Sequence, residues 1–257
     1  YLAHHNKNIT TRLTMIYKVF PLILFCFFSF KPFNTPENVN SEINSTDPKL
    51  IAANAKATIE AKSKSFYSVI DANGFTLPTF QSFLAAFEGY EQLKLQGKVA
   101  NEVLTIVDFS LSSTQERMWV IDMKTQKVIL KSLVAHGRNS GSEYAADFSN
   151  ENESFKSSLG FYVTGEVYNG KHGLSLRLDG MEFGINHNAR TRAVVVHGAD
   201  YVSQTFIKNT GRLGRSQGCP AVPYEIHKEL IETIKGKSCI FIYHPSRTYV
   251  VKSKLVS

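Results

Sequence analysis

Two stretches decide how this chain folds: Val194-Val195-Val196-His197-Gly198-Ala199 and, with its cysteine 22 residues on from the histidine, Arg215-Ser216-Gln217-Gly218-Cys219-Pro220-Ala221-Val222-Pro223. A β-branched run that ends in His-Gly predicts a buried strand delivering an imidazole to its own end. Gly-Cys-Pro predicts a constrained turn that presents a thiol: Gly218 permits backbone angles closed to other residues, and Pro220 removes a donor and stiffens the turn. A thiol needs a base to become a nucleophile at neutral pH, and a strand and loop of this length can bring Cys219 within hydrogen-bond reach of His197. The N–H groups of Gln217, Gly218 and Cys219 are then candidate donors to a developing oxyanion. Ser216 is expected to bond within the turn or to a ligand. No Asp or Asn stands where it would orient His197; a backbone carbonyl near Gly198 or Ala199 could serve as the acceptor for the second ring nitrogen.

Outward from these stretches, the sequence after Asn101 reads as strands. Residues 104–109, 118–122 and 128–130 are apolar or β-branched runs, the last two joined through Lys124-Thr125-Gln126-Lys127 as a hairpin. Further strands are expected at 160–164, 175–178, 193–197, 239–243 and 249–251, with one short helix at 224–235 ended by Gly236. Residues 101–257 thus form a mainly β domain. The polar insert 137–158 is long enough to be a cleft cover or a plain surface loop. His136-Gly137 is a second strand-His-Gly, read as a cleft residue or a structural histidine, and the Arg138 after it is a candidate carboxylate ligand. His172, His187, His227 and His244 show no metal-ligand spacing, so no metal or other cofactor is inferred.

The pattern His-Gly, a gap of this size, then Ser-x-Gly-Cys resembles the L,D-transpeptidase catalytic domain, in the murein branch where the cysteine is followed by Pro-Ala. The similarity runs from about residue 104 to 243 and includes Ser157-Ser158-Leu159-Gly160-Phe161-Tyr162, where the family has a Gly-containing strand start. The resemblance implies a β-sandwich or barrel with short helices, here with an N-terminal helical extension. It also implies the chemistry: Cys219 as nucleophile and His197 as base acting on peptidoglycan. A tetrapeptide stem would acylate the thiol with loss of D-alanine, and an amine acceptor would resolve the thioester into a cross-link. Water in place of the amine would make a carboxypeptidase or thiol peptidase. From a different class, a domain that kept the fold without turnover would be a peptidoglycan-binding module. Two departures stand out: Gln217 occupies the place of a second His found in most members, and Ala221 the place of an Arg or Asn. The second bears on recognition of the donor carboxylate, for which Arg215 is the candidate substitute, with Arg138 and Arg192 as further substrate-binding candidates. A sortase-like reading, which also sets His before Cys, lacks the Thr-rich lead to the cysteine.

The N-terminal part has a different character. Residues 51–70 can be helical, and 78–96 form a stronger helix, with Phe80, Phe83, Leu84, Phe87 and Leu95 near one face, Pro78 in the first turn and Gly97 as terminator. Together they make a helical region at 51–100. Residues 31–50, rich in Asn, Pro, Ser and Thr, read as a linker. Met15 and Lys18 precede a run of about 12 apolar residues, short of the ~20 that span a bilayer, so residues 1–30 read as a secretory leader, with 1–14 an upstream extension. The expected location is the periplasm or cell envelope, with an N-terminal membrane anchor if the leader is not cleaved.

Composition sets the remaining bounds. With 43% hydrophobic and 20% charged residues in 257, one good core can form. The formal charge of +7 falls to +4 without Lys7, Arg12 and Lys18, the only charged residues of 1–30. That suits an anionic wall polymer, and the absence of a dense basic block with interleaved aromatics argues against nucleic acid. Of three cysteines, Cys26 falls in the leader and Cys239 has the surroundings of a buried core thiol, so no disulfide framework is expected.

Overall fold

The computed structural model describes residues 47–256. The expected leader, Cys26 and most of the linker lie outside the described residues. The first described residues already cap and begin helix α1 (Pro48–Val69), with Asp47 as N-cap. Helix α2 (Phe80–Leu95) comes next, and its N-cap is Thr79, whose hydroxyl accepts from the Ser82 N–H at 3.2 Å; Pro78 lies before the helix rather than in its first turn. Gly97 ends it at φ 67°. The buried stripe is Phe83, Ala86, Phe87, Tyr90 and Leu93, at the spacing of one helix face. Leu95, expected on that face, is 87% exposed, because the stripe has already turned past it.

The rest is built on one eight-stranded sheet. Its strands are β1 (Val103–Asp108), β2 (Met118–Asp122), β3 (Lys127–Ser132), β4 (Gly160–Gly170), β5 (Gly173–Gly180), β6 (Val195–Gly198), β7 (Ala221–Val222) and β8 (Cys239–Tyr243), in spatial order β3-β2-β1-β8-β4-β5-β6-β7. Most pairs are antiparallel; β1 with β8 and β6 with β7 are parallel. Every residue of β1 and β8 is buried, which explains why both read as continuous apolar runs rather than as alternating ones.

The sheet curls until its ends meet. Beyond β3 the chain continues to Ala135, whose N–H donates to the Ala221 carbonyl at 2.8 Å, so the segment after the first edge strand pairs with the last. Helix α4 (Tyr224–Ile234) packs one face against β1, β5 and β6, burying Leu230, Ile231 and Ile234 completely. Helix α2 packs on β1 and β8, so its aromatic stripe joins the main core. This is the near-barrel with short helices that the sequence predicts.

Two further helices differ from expectation. Residues 204–210 form α3 (Gln204–Thr210), capped by the Ser203 hydroxyl and ended by Gly211 at φ 78°. The strand expected at 249–251 is instead helix α5 (Arg247–Lys252), with Ser246 as N-cap. The β-branched pair Val250-Val251 suggests a strand, yet β8, the strand just before it, already has β1 and β4 on its two sides and no free edge to offer. A helical turn lets Tyr249 point inward, where its hydroxyl donates to the buried Glu182 carboxylate at 3.0 Å.

Candidate active site

Strand β6 brings His197 to its C-terminal end between β5, where Ser175 is its partner, and β7, where Ala221 is. Cys219 lies two residues before Ala221, and parallel pairing therefore sets it beside Val195, on the same face of β6 as His197. The backbone agrees: the Val195 N–H donates to the Cys219 sulfur, and Sγ lies 3.7 Å from the Ala193 carbonyl. Val195, His197 and Cys219 all line one cleft of about 530 Å³.

His197 is buried, and its Nδ1 lies 2.9 Å from its neighbour Gly198's carbonyl oxygen. A carbonyl only accepts, so Nδ1 carries the proton and Nε2 is left as the acceptor. Ala199, the other expected orienting residue, sends its N–H to the Val222 carbonyl and bonds the strand instead. Gly198 is required for space: a Cβ there would sit 2.5 Å from the Tyr224 ring and 3.0 Å from His227, both on α4. The glycine lets α4 press against the back of the histidine strand.

The cysteine turn is held by its own serine. Ser216 Oγ accepts from the Gly218 N–H at 3.0 Å and donates to the Cys219 carbonyl at 2.6 Å. Gly218's N–H is thereby committed within the turn, which leaves those of Gln217 and Cys219 as its remaining donors. Gly218 stands at φ 122°, and a Cβ would come within 2.8 Å of the Lys156 carbonyl. Ser157 closes the other side, accepting from the Gly137 N–H and donating to the Gly218 carbonyl. Ser157 thus joins the end of the insert to the turn.

The insert 137–158 forms a wall of the cleft through Arg138, Glu153 and Phe155. Arg192 braces it: Nη1 donates to the Ser149 carbonyl and Ser158 Oγ, and Nη2 to Ser154 Oγ and the Lys156 carbonyl. Arg215 donates to the carbonyls of Arg138 and Gly141, while the Arg138 guanidinium lies 3.9 Å over the Phe155 ring. All three arginines line the cleft, and none forms an ion pair with a carboxylate of the described residues. Arg190, by contrast, is engaged by Asp179 and Glu166 at the surface.

Burial dominates the electrostatics. It pushes the His197 imidazole below its ordinary value, against the raising effect of the Gly198 hydrogen bond and with small contributions from His172 and His227. It pushes the Cys219 thiol up, while the Val195 N–H and the Arg192 charge pull it back. Both shifts favour a resting pair of neutral thiol and neutral imidazole. His136 belongs elsewhere. It is completely buried, its Nδ1 accepts from Arg117 at 2.8 Å, and it does not line the cleft. Among the described residues no group of three or more His, Cys, Asp or Glu side chains is placed to hold a metal ion. Cys239 is buried and unpaired in β8.

Sequence reading does not assign Tyr168, Lys171, His172 or Tyr201 to the cleft, yet all four line it. The first three come from the β4–β5 hairpin, whose strands run well past the segments expected from their apolar residues. Its turn chemistry, Asn169-Gly170-Lys171-His172-Gly173, is visible in the sequence. Its position over His197 depends on the β5–β6 register, which is not.

A family model described as the L,D-transpeptidase catalytic domain matches residues 77–243. No curated protein matches the chain. Among solved structures, an L,D-transpeptidase from Mycobacterium smegmatis is similar at 13% identity and TM-score 0.35, over 56% of this chain and 59% of its own. One from Stackebrandtia nassauensis is 14% identical with TM-score 0.34, over 74% and 78%. A helical cell-shape-determining protein from Campylobacter jejuni is 11% identical with TM-score 0.39, over 66% and 58%. The chain spans less than two-thirds of the length of the first of these structures. The matched segment includes α2, the curled sheet and both halves of the cleft, and by it this chain belongs to the L,D-transpeptidase catalytic domain family.

Proposed function

We propose that the chain is an exported cysteine transpeptidase that forms L,D-type cross-links between peptidoglycan stem peptides. The observation that carries this reading is the pairing of β6 with β7, which sets Cys219 and His197 on one face in one cleft, with Nδ1 of the histidine tied to Gly198. The reaction starts from the neutral pair. Nε2 of His197 takes the thiol proton as Sγ attacks the carbonyl of the third stem residue. Charge develops on that oxygen, where the N–H groups of Gln217 and Cys219 are the donors left by the turn. The C–N bond then breaks, the histidine proton passes to the leaving D-alanine amine, and a thioester remains. An acceptor amine attacks it, His197 takes the amine proton, and the Sγ–C bond breaks as the new amide forms. The thiol recovers its proton from His197.

The donor carries carboxylates, and Arg138, Arg192 and Arg215 supply positive charge along the cleft without carboxylate partners of their own. Of the three, Arg138 has the most freedom to bind, because Arg192 and Arg215 already donate to the insert. Intact-mass measurement after incubation with a tetrapeptide donor tests the reading. The expected result is a donor-minus-alanine adduct on the wild type and none on Cys219→Ala. Release of free tripeptide without cross-linked product when an amine acceptor is present would make the protein a carboxypeptidase. No adduct and no free D-alanine would leave a peptidoglycan-binding module.

A further inference from the structure

The β4–β5 hairpin extends past the edge of the sheet and ends in a tight turn. Gly170 pairs with Gly173, and Gly173 takes φ 76°, a left-handed residue directly after Lys171 and His172. Ser175 of the same hairpin is the cross-strand partner of His197. The register therefore hangs the turn over the end of β6, and the His172 ring stacks on the His197 ring with centroids 4.5 Å apart and planes 24° from parallel. His172 is itself exposed, so its place on the imidazole is not the by-product of a packed core.

We propose that His172 is a positioning residue for His197, holding the plane of the base's ring from the tip of the hairpin. The inference rests on His197 being the base. Its Nδ1 bond to Gly198 fixes one edge of the ring, and a second ring laid on the face opposes tilting of its plane. The stack also has an electrostatic side, because a proton on either imidazole opposes a proton on the other. The titratable groups that act on His197 are His172 from the hairpin and His227 from α4, and the same cleft is lined by Cys219, Glu153, Lys171 and the three arginines. All but the thiol and Glu153 are basic. Burial first, and then the two histidines, keep His197 neutral, the form that can accept the thiol proton.

Two substitutions separate the stack from the charge. His172→Phe keeps a ring on the imidazole and loses the proton site; His172→Ala loses both. The pH dependence of donor acylation and an NMR titration of the His197 ring protons are the readouts. His197 is expected to titrate at higher pH in both variants, moving the acid limb of the acylation profile upward. On the alkaline plateau His172→Ala is expected to acylate about tenfold more slowly with donor KM nearly unchanged, a small part of what general-base catalysis contributes, and His172→Phe to recover most of that rate. The proposal is overturned if His197 titrates as in the wild type in both variants, or if His172→Ala acylates at the wild-type rate. The NMR titration needs no substrate, so it decides the point even if the wild type forms no thioester, an outcome that would count against the proposed function.

Discussion

His136 shows how one residue of the sequence pattern His-Gly can serve structure while its twin serves the cleft. It accepts from Arg117, whose guanidinium also bonds the carbonyls of Val134 and Leu111 and lies 4.8 Å from the Phe109 ring. Burial first, and then the Arg117 charge, push the His136 imidazole down to about 4. Its folded value lies below its unfolded value of about 6.5, so the unfolded chain binds the proton first and stability falls as pH drops between them. The loss should reach about 3 kcal/mol by pH 4. Urea unfolding at pH 7 and near pH 4.5 should show this acid sensitivity reduced in His136→Gln, whose amide can still accept from Arg117. Gly198 makes a second test at the same scale. Gly198→Ala would force apart β6 and the Tyr224–His227 face of α4, with a loss of about 1–3 kcal/mol typical of overpacking. It would also displace the carbonyl that orients His197. Thermal unfolding and donor acylation should both suffer, the second far more.

Among the elements, the insert 137–158 is held at both ends by Ser157 and Arg215, and its stretch from 149 to 158 is gathered by one side chain. Arg192 supplies four hydrogen bonds to it, and no carboxylate among the described residues competes for the guanidinium. Arg192→Ala should therefore free the segment around residues 149–156, seen as faster amide exchange there, and raise the donor KM several-fold. It should also raise the pH at which Cys219 is alkylated, because the nearby positive charge is gone. Arg192→Lys should restore the alkylation profile but not the protection, since an ammonium cannot reproduce the planar fork. The insert also marks the limit of what the sequence discloses. His197 and Cys219 are legible because a β-branched run and a Gly-Cys-Pro turn are local signals. The wall is not, because Arg192 reaches it from 36 residues beyond Lys156. His172 escapes a reading of the sequence for the same reason, its role being set by register across three strands. Helix α3 is a different case: its Ser203 cap and Gly211 terminator are in the sequence, but with no buried face it offers no apolar period to find.

For the molecule as a whole, the question is whether the helical region and the curled sheet unfold together. Helix α1 buries only Ser63 fully and holds to α2 through Phe66 and Tyr67, whose rings lie 5.2–6.0 Å from those of Phe80, Phe83 and Phe87. Helix α2, in contrast, puts Phe83, Phe87, Tyr90 and Leu93 into the same core as β1 and β8. The two helices are therefore attached unequally, with α2 built into the core and α1 resting on α2. The only tryptophan reports on the junction: Trp119 lies in β2, and its indole N–H donates to the Thr76 carbonyl, in the link between the two helices, at 2.7 Å. Phe87→Ala should cost about 3–5 kcal/mol, as removal of a buried phenylalanine does. If α2 and the sheet form one cooperative unit, Trp119 fluorescence and far-UV circular dichroism should shift to lower urea by the same amount. Lys62→Ala, which removes a surface ion pair between α1 and Glu91 of α2, should move neither by more than about 1 kcal/mol. Separation of the two probes in Phe87→Ala would show that the helices dissociate before the sheet opens, and the cleft would then be expected to keep the proposed acylation beyond the first transition.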